Sequence, residues 1–199
     1  MKMLTEILKE ETRAAHTNAE VLMGAKSIFA DNYSIPQYYQ HLQRLLKMHS
    51  TAHLIFNAYA HIIPEKNWIP VNRTFAIIDD LQTIDKAFLA PQASLKESHG
   101  FTKLPALIGL MYVIKGSELG GNIIASRIIA HNKRWQLPQQ KFYQQEDPAS
   151  VKQNWISWCD KINSLPTNND FVNQAIAGAK NGFHLCVHPQ EFSDVQVFL

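Results

Sequence analysis

Three observations predict an all-α helical bundle. Apolar residues recur at helical spacing over long stretches, prolines fall at the edges of those stretches, and no segment alternates as a half-buried strand does. The chain has 199 residues, 46% of them hydrophobic and 18% charged. It is therefore expected to bury one sizeable core as a single domain over 1–199.

Pro36, Pro64, Pro70, Pro91, Pro105, Pro138, Pro148, Pro166 and Pro189 partition the sequence, because proline favours a first helical turn or a loop. Between them, helices are predicted over about 3–23, 35–61, 72–90, 103–134, 149–163 and 168–188, with ends good to about three residues. In the second, Ser34 can cap and Pro36 sits in the first turn, followed by Tyr38, Leu42, Leu45, Leu46, His49 and His53 on one face. The 103–134 helix is expected to be the longest. A bundle of this kind can hold a cofactor between facing helices.

Composition narrows the function. A formal charge of +2 with neutral histidines gives no basis for general nucleic-acid binding. Cys159 and Cys186 have no zinc or redox spacing, which suits a reduced, cytoplasmic chain. The first residues carry too many charges for a signal peptide. The longest apolar run, Leu104 to Ile114, stops at Lys115, short of the roughly 20 residues a membrane span needs.

On a wheel of the first helix, Leu4, Ile7, Leu8, Ala14, Ala15, Val21 and Leu22 are expected to face the core, with Lys9, Arg13, His16 and Glu20 in a stripe opposite. The plain explanation is a solvated face. The sharper one is a ligand platform, in which His16 offers Nε2 to a metal and Glu20, one turn on, orients Nδ1–H. Lys9 and Arg13 would then reach acidic groups on the rim of a large planar ligand.

The predicted 103–134 helix holds four of the eight glycines: Gly109, Gly116, Gly120 and Gly121. Each interior glycine costs about 1 kcal/mol relative to alanine, so something must offset the group. Close packing against a neighbouring helix is one answer. The other is that bare backbone must approach a flat ligand, with the Ser117 hydroxyl joining a hydrogen-bonded water network. A phosphate loop does not fit, since no strand precedes these glycines and no Gly-Lys-Ser/Thr follows.

Together these segments resemble the haem oxygenase family. Leu8-Lys9-Glu10-Glu11-Thr12-Arg13-Ala14-Ala15-His16-Thr17-Asn18-Ala19-Glu20 looks like the family's proximal helix. Tyr112-Val113-Ile114-Lys115-Gly116-Ser117-Glu118-Leu119-Gly120-Gly121 is similar to its distal helix, above all in the bacterial branch tied to bilin synthesis. Phe142-Tyr143, Trp155 and the Ala175-x-x-x-Ala179-x-x-x-Phe183 pattern follow in the family's order. The resemblance implies haem held between the first helix and the glycine-bearing helix, as both cofactor and substrate, with His16 on the iron. It implies ring opening to biliverdin, carbon monoxide and ferrous iron with O2 and external electrons, drawn from a ferredoxin or a flavoprotein reductase. Lys9, Arg13 and Lys152 would engage the propionates, and Glu20, Tyr112 and Phe183 would complete the binding site. Gly116, Ser117, Gly120 and Gly121 would form the distal face.

Two departures stand out. Ser117 occupies a position where the animal enzymes carry a carboxylate, and His184 and His188 stand where apolar or aromatic residues are expected. Other classes remain open. A haem carrier or sensor would keep His16 and the basic residues without degrading haem. A non-haem metal protein would use His49-x-x-x-His53 or His184-x-x-x-His188, against the plainer alternative of histidines packed at helix borders. A thiaminase-like enzyme would need an activated cysteine, and neither cysteine has an activating context.

Overall fold

The computed structural model describes residues 2–90, 92–96, 100–144, 147–166 and 168–196. Among them the chain forms seven α-helices: α1 (Leu4–Glu11), α2 (Arg13–Leu22), α3 (Ile35–Ala58), α4 (Thr74–Ile84), α5 (Leu104–Trp135), α6 (Pro148–Asn163) and α7 (Asn169–Val187). The all-α expectation holds, and α5 is the longest element at 32 residues. No helix among the described residues is long and apolar enough to cross a membrane.

The Ser34 cap forms as the sequence predicts, and the structure adds a second at Asp147. Ser34 N donates to Gln37 Oε1 at 2.9 Å at the start of α3, with proline in the first turn. Asp147 Oδ2 accepts from Ala149 N and Ser150 N ahead of α6. In α3, Tyr38, Leu42, Leu45, Leu46 and His49 are buried as the spacing predicts, while His53 is half-buried.

Three expectations need correction. The first helix is not continuous over 3–23. It is interrupted at Thr12, whose hydroxyl donates to Leu8 O at 2.7 Å, and such back-bonding by threonine distorts a helix locally. The buried stripe nevertheless runs on through the break as Leu4, Leu8, Thr12 and Ala19, with Ala15 half-buried; Ala14 and Val21 fall off that stripe and Leu22 ends the helix, so all three are exposed. The fourth helix ends at Ile84, not near 90, where the Asp85 carboxylate accepts from Ala87 N at 3.0 Å and turns the chain. Finally, a two-stranded antiparallel ribbon exists: β1 (Gln92–Leu95) pairs with β2 (Ser193–Gln196), with Gln92 opposite Gln196 and Leu95 opposite Ser193.

The helix pair α5 and α7 forms the spine of the bundle. A Cβ placed on Gly109 would lie 2.3 Å from Ala175 O and 2.4 Å from Ala179 N, and one on Gly178 would lie 2.3 Å from Ala106 O. These distances lie far inside van der Waals contact, so the crossing requires glycine at both positions. Packing thus accounts for Gly109.

Two buried histidines make the core sensitive to acid. His41 Nε2 meets the Tyr143 hydroxyl at 2.6 Å, and His49 packs edge-on to Phe142 at 5.4 Å between ring centres. Burial, reinforced by the nearby guanidinium of Arg44 and Arg73 respectively, lowers each to about 4. The unfolded chain binds these protons near pH 6.5 and the folded chain does not. Their contribution is therefore intact above pH 6.5 and is lost as pH falls toward 4, by about 2 kcal/mol each at pH 5. Urea titrations at pH 7 and pH 5 are expected to show a clear drop in midpoint. Equal midpoints would contradict the burial of both rings.

Candidate haem site

Helix α7 places the candidate site. It packs on α5 along one side and on α1 and α2 along another, whereas α2 and α5 make no extensive contact with each other. Gly182 of α7 fits against α5, where an added Cβ would meet Val113 and Leu110 side chains at 3.1–3.3 Å. The next residue, Phe183, turns to α2 and meets the His16 ring edge-on, with centroids 5.5 Å apart and planes at 79°. One turn of α7 therefore joins the imidazole of α2 to the stretch of α5 just before its glycines.

The His16 side chain is 56% exposed, with Nδ1 3.8 Å from Glu20 Oε2. That pairing directs Nδ1 along the helix, leaving Nε2 on the opposite side of the ring as the atom suited to ligate iron. Lys9, Arg13, His16 and Glu20 are all exposed. Lys9 belongs to α1 and the other three to α2, so the expected stripe spans the break at Thr12. Neither Lys9 nor Arg13 forms an ion pair or a side-chain hydrogen bond among the described residues. Lys152 is exposed on the second turn of α6.

The glycines of α5 sort into different environments. Gly121 is buried against the core. A Cβ on Gly116 would meet only the Trp155 ring, at an ordinary 3.6 Å, and a Cβ on exposed Gly120 would meet nothing within 4 Å. Packing within the chain therefore does not require glycine at 116 or 120. Ser117 is exposed and its hydroxyl donates to Ile114 O at 2.7 Å, so it presents lone pairs outward. Tyr112, one turn earlier, lies against Trp155 with ring centroids 5.5 Å apart, and burial raises its phenol pKa. Its place is at the α5–α6 contact that walls the Gly116 side.

These residues fit a large flat ligand. A solvent-facing imidazole with its second nitrogen beside a carboxylate suits an iron ligand. Unreclaimed space over Gly120 suits an aromatic plane, and uncommitted cations suit carboxylates at its rim. Spacing did not reveal two contributors, Thr12 and Trp155. Thr12 is marked only as a helix-interior threonine, and Trp155 reads from sequence as ordinary packing.

The other histidine pairs take structural places. His49 is inside the core, and His184 Nε2 bonds Glu191 Oε2 at 2.8 Å while its ring lies 4.7 Å from that of His188. Among the described residues, no group of three or more His, Cys, Asp or Glu is arranged to hold a metal ion. Burial pushes the Cys159 thiol up to about 11 and that of Cys186 to about 12, away from nucleophilic character.

Comparison with known proteins bears on the fold and the family. No curated protein sequence matches the chain. A heme oxygenase from Neisseria meningitidis, solved with NO and CO bound, superposes with a TM-score of 0.70 at 19% identity, covering 96% of this chain and 92% of that one. Heme oxygenase from Leptospira interrogans superposes with a TM-score of 0.66, also at 19% identity, covering 94% and 98%. At that identity the likeness shows the fold. The family model described as Heme oxygenase matches residues 2–188, nearly the whole chain, and the protein therefore belongs to the heme oxygenase family.

Proposed function

We propose that the protein is a cytoplasmic enzyme that opens haem to biliverdin, carbon monoxide and ferrous iron, with haem as substrate. The observation that carries this reading is the pairing of two features joined by one turn of α7: an exposed imidazole on α2 and helical glycines on α5 that internal packing does not require. Haem supplies the iron that binds oxygen and the ring that is cut. O2 and electrons come from outside, the latter from a ferredoxin or a flavoprotein reductase.

The chain's own residues have separable tasks in this reading. His16 Nε2 would ligate the iron, and the Glu20 carboxylate, 3.8 Å from Nδ1, would orient the ring from its other edge. A neutral imidazole donates less electron density than a thiolate does. Lys9 and Arg13, with Lys152 from α6, hold the propionates and so fix how the ring is rotated in the site. Gly116 and Gly120, which carry no side chain, would leave room for the flat ring, and Phe183 would pack against the His16 imidazole that holds it. Ser117 has committed its proton to Ile114 O, so it anchors water as an acceptor, the role a carboxylate plays elsewhere.

That same commitment favours a second reading, a haem carrier or sensor, because Ser117 has no proton of its own to offer. One experiment separates the two. Purified protein receives one equivalent of haem and then reductant under air. A histidine-ligated spectrum that decays to a bilin with release of carbon monoxide is the expected result. A spectrum that persists with ferredoxin, flavoprotein reductase and small reductants alike would assign the protein as a carrier.

A further inference from the structure

The helix that carries His16 is weakly held by its own packing. Ala19 is its one buried residue, and Val21 and Leu22 at its end are 60% and 49% exposed. Beyond α2 the chain makes a short 3-10 turn and an irregular segment before reaching α3 at Ile35. Ile28 and Tyr33 of this segment are buried, yet its backbone carbonyls have few partners of its own making. The carbonyl of Ile28 is bonded in a buried place and that of Tyr33 in a half-buried one, and such carbonyls require donors; those of Phe29 and Asp31 are bonded at the surface.

Three side chains on one face of α5 supply them. Arg127 donates to Phe29 O at 2.8 Å and to the Asp31 carboxylate at 2.6 Å. His131 Nε2–H donates to Ile28 O at 2.8 Å. Arg134 donates to Asp31 O, and to Tyr33 O at 2.6 Å. Arg134 also donates to His131 Nδ1 at 3.2 Å, which fixes the imidazole so that Nε2 carries the proton. Residues 127, 131 and 134 follow the i, i+4, i+7 spacing of one helical stripe. Behind them Tyr33, His131, Trp135 and Tyr38 stack in succession, with centroids 5.1–5.4 Å apart for Tyr33–His131, His131–Trp135 and Trp135–Tyr38.

We propose that Arg127, His131 and Arg134 form a clamp that fixes α2 relative to α5 and thereby sets the width of the slot between His16 and the α5 glycines. They are positioning residues: each acts on the carbonyls of 28–33, and through that segment on α2. The consequence for haem rests on the reading given under Proposed function; the consequence for α2 does not. α2 and α5 are otherwise joined through α7 and, by way of α1, through α6; the clamp adds a fixed point beyond the C-terminal end of α2, where Val21 and Leu22 are exposed. Four carbonyls held by planar guanidinium and imidazole donors tolerate little sliding.

Amide hydrogen exchange on the haem-free protein tests this directly, using Arg134→Met, Arg134→Lys and Asp31→Ala. In Arg134→Met, amides of residues 13–22 are expected to exchange roughly tenfold faster, while protection in α3 and α7 stays at the wild-type level. Arg134→Lys is expected to fall between, since an ammonium can serve one carbonyl but not the fork. Asp31→Ala is expected to change little, because its carboxylate side chain is 99% exposed and the carbonyl contacts remain. Wild-type protection of α2 in Arg134→Met would overturn the proposal. So would acceleration spread evenly over α3 and α7, which signals general destabilisation. Should Arg134→Met fail to fold, Arg127→Met gives the same readout from a side chain that is 30% exposed.

A second arm adds one equivalent of haem to each variant. The clamp predicts a mixed axial-ligand spectrum in Arg134→Met where the wild type gives a single one, with partial recovery in Arg134→Lys. A single wild-type spectrum in Arg134→Met would remove the link between clamp and slot. Failure of the wild type itself to bind haem would count against the haem reading, and the exchange result would still decide the clamp.

Discussion

Replacing His16 with alanine is expected to remove the axial ligand of bound haem while leaving the protein folded. The side chain is 56% exposed and its contacts are an ion-pair partner at 3.8 Å and one aromatic edge. Surface substitutions of this kind change stability by about 0.5 kcal/mol or less. The effect on haem is expected to be far larger. Removing a residue that only orients a ligand costs about 10–100-fold in affinity or activity, so Glu20→Ala should fall in that range and His16→Ala should exceed it. Absorption spectra of the two variants with one equivalent of haem, beside far-UV circular dichroism of each, make the comparison. Because the imidazole faces solvent, free imidazole added to His16→Ala is expected to restore a histidine-like spectrum. An unchanged spectrum in His16→Ala without added imidazole would place the iron ligand elsewhere on the chain.

The candidate site rests on residue types and spacing, while much of its framing could not be read from either. The stripe of Lys9, Arg13, His16 and Glu20 follows from helical spacing, and spacing survives the break at Thr12 because His16 N still donates to Thr12 O at 2.9 Å. The exposure of Val21 follows from the wheel, since it falls off the buried stripe of Leu4, Leu8, Thr12 and Ala19, whereas that of Leu22 does not: it shares the sector of Leu4 and is exposed because α2 ends there. The break at Thr12 was not readable either, since threonine in a helix does not announce a bond back to Leu8 O. The ribbon of β1 and β2 escaped for a different reason. Each strand has four residues, their partners are about a hundred residues apart in sequence, and no hairpin turn joins them. The clamp is invisible in the same way. Arg127, His131 and Arg134 read as the solvated end of a long helix, and the backbone carbonyls they hold carry no sequence signature.

The glycines of α5 show how structure divides what sequence groups together, and they give the second large prediction. Gly109, Gly116 and Gly120 share a helical face, and spacing alone offers one cause for all three. The added-Cβ distances separate them. At Gly109 the obstacles are backbone atoms of α7 at 2.3–2.7 Å, which move only if the helices part. Gly109→Ala is therefore expected to cost about 3 kcal/mol, with Gly178→Ala similar since it meets the same crossing from the other side. At Gly120 an added methyl meets nothing, and the helix gains about 1 kcal/mol from alanine. In a chain of this length that raises the melting temperature by about 3 °C. A substitution that raises stability at no internal cost slows function where something outside the chain needs the space. Gly120→Ala is accordingly expected to be more stable than the wild type and slower in turnover. Gly120→Leu is expected to block turnover more severely than it weakens haem binding. Thermal melts and single-turnover spectra of the three α5 variants would test the division. A melting temperature lowered in Gly120→Ala, or undiminished turnover in Gly120→Leu, would mean that this glycine serves packing after all, as Gly109 does.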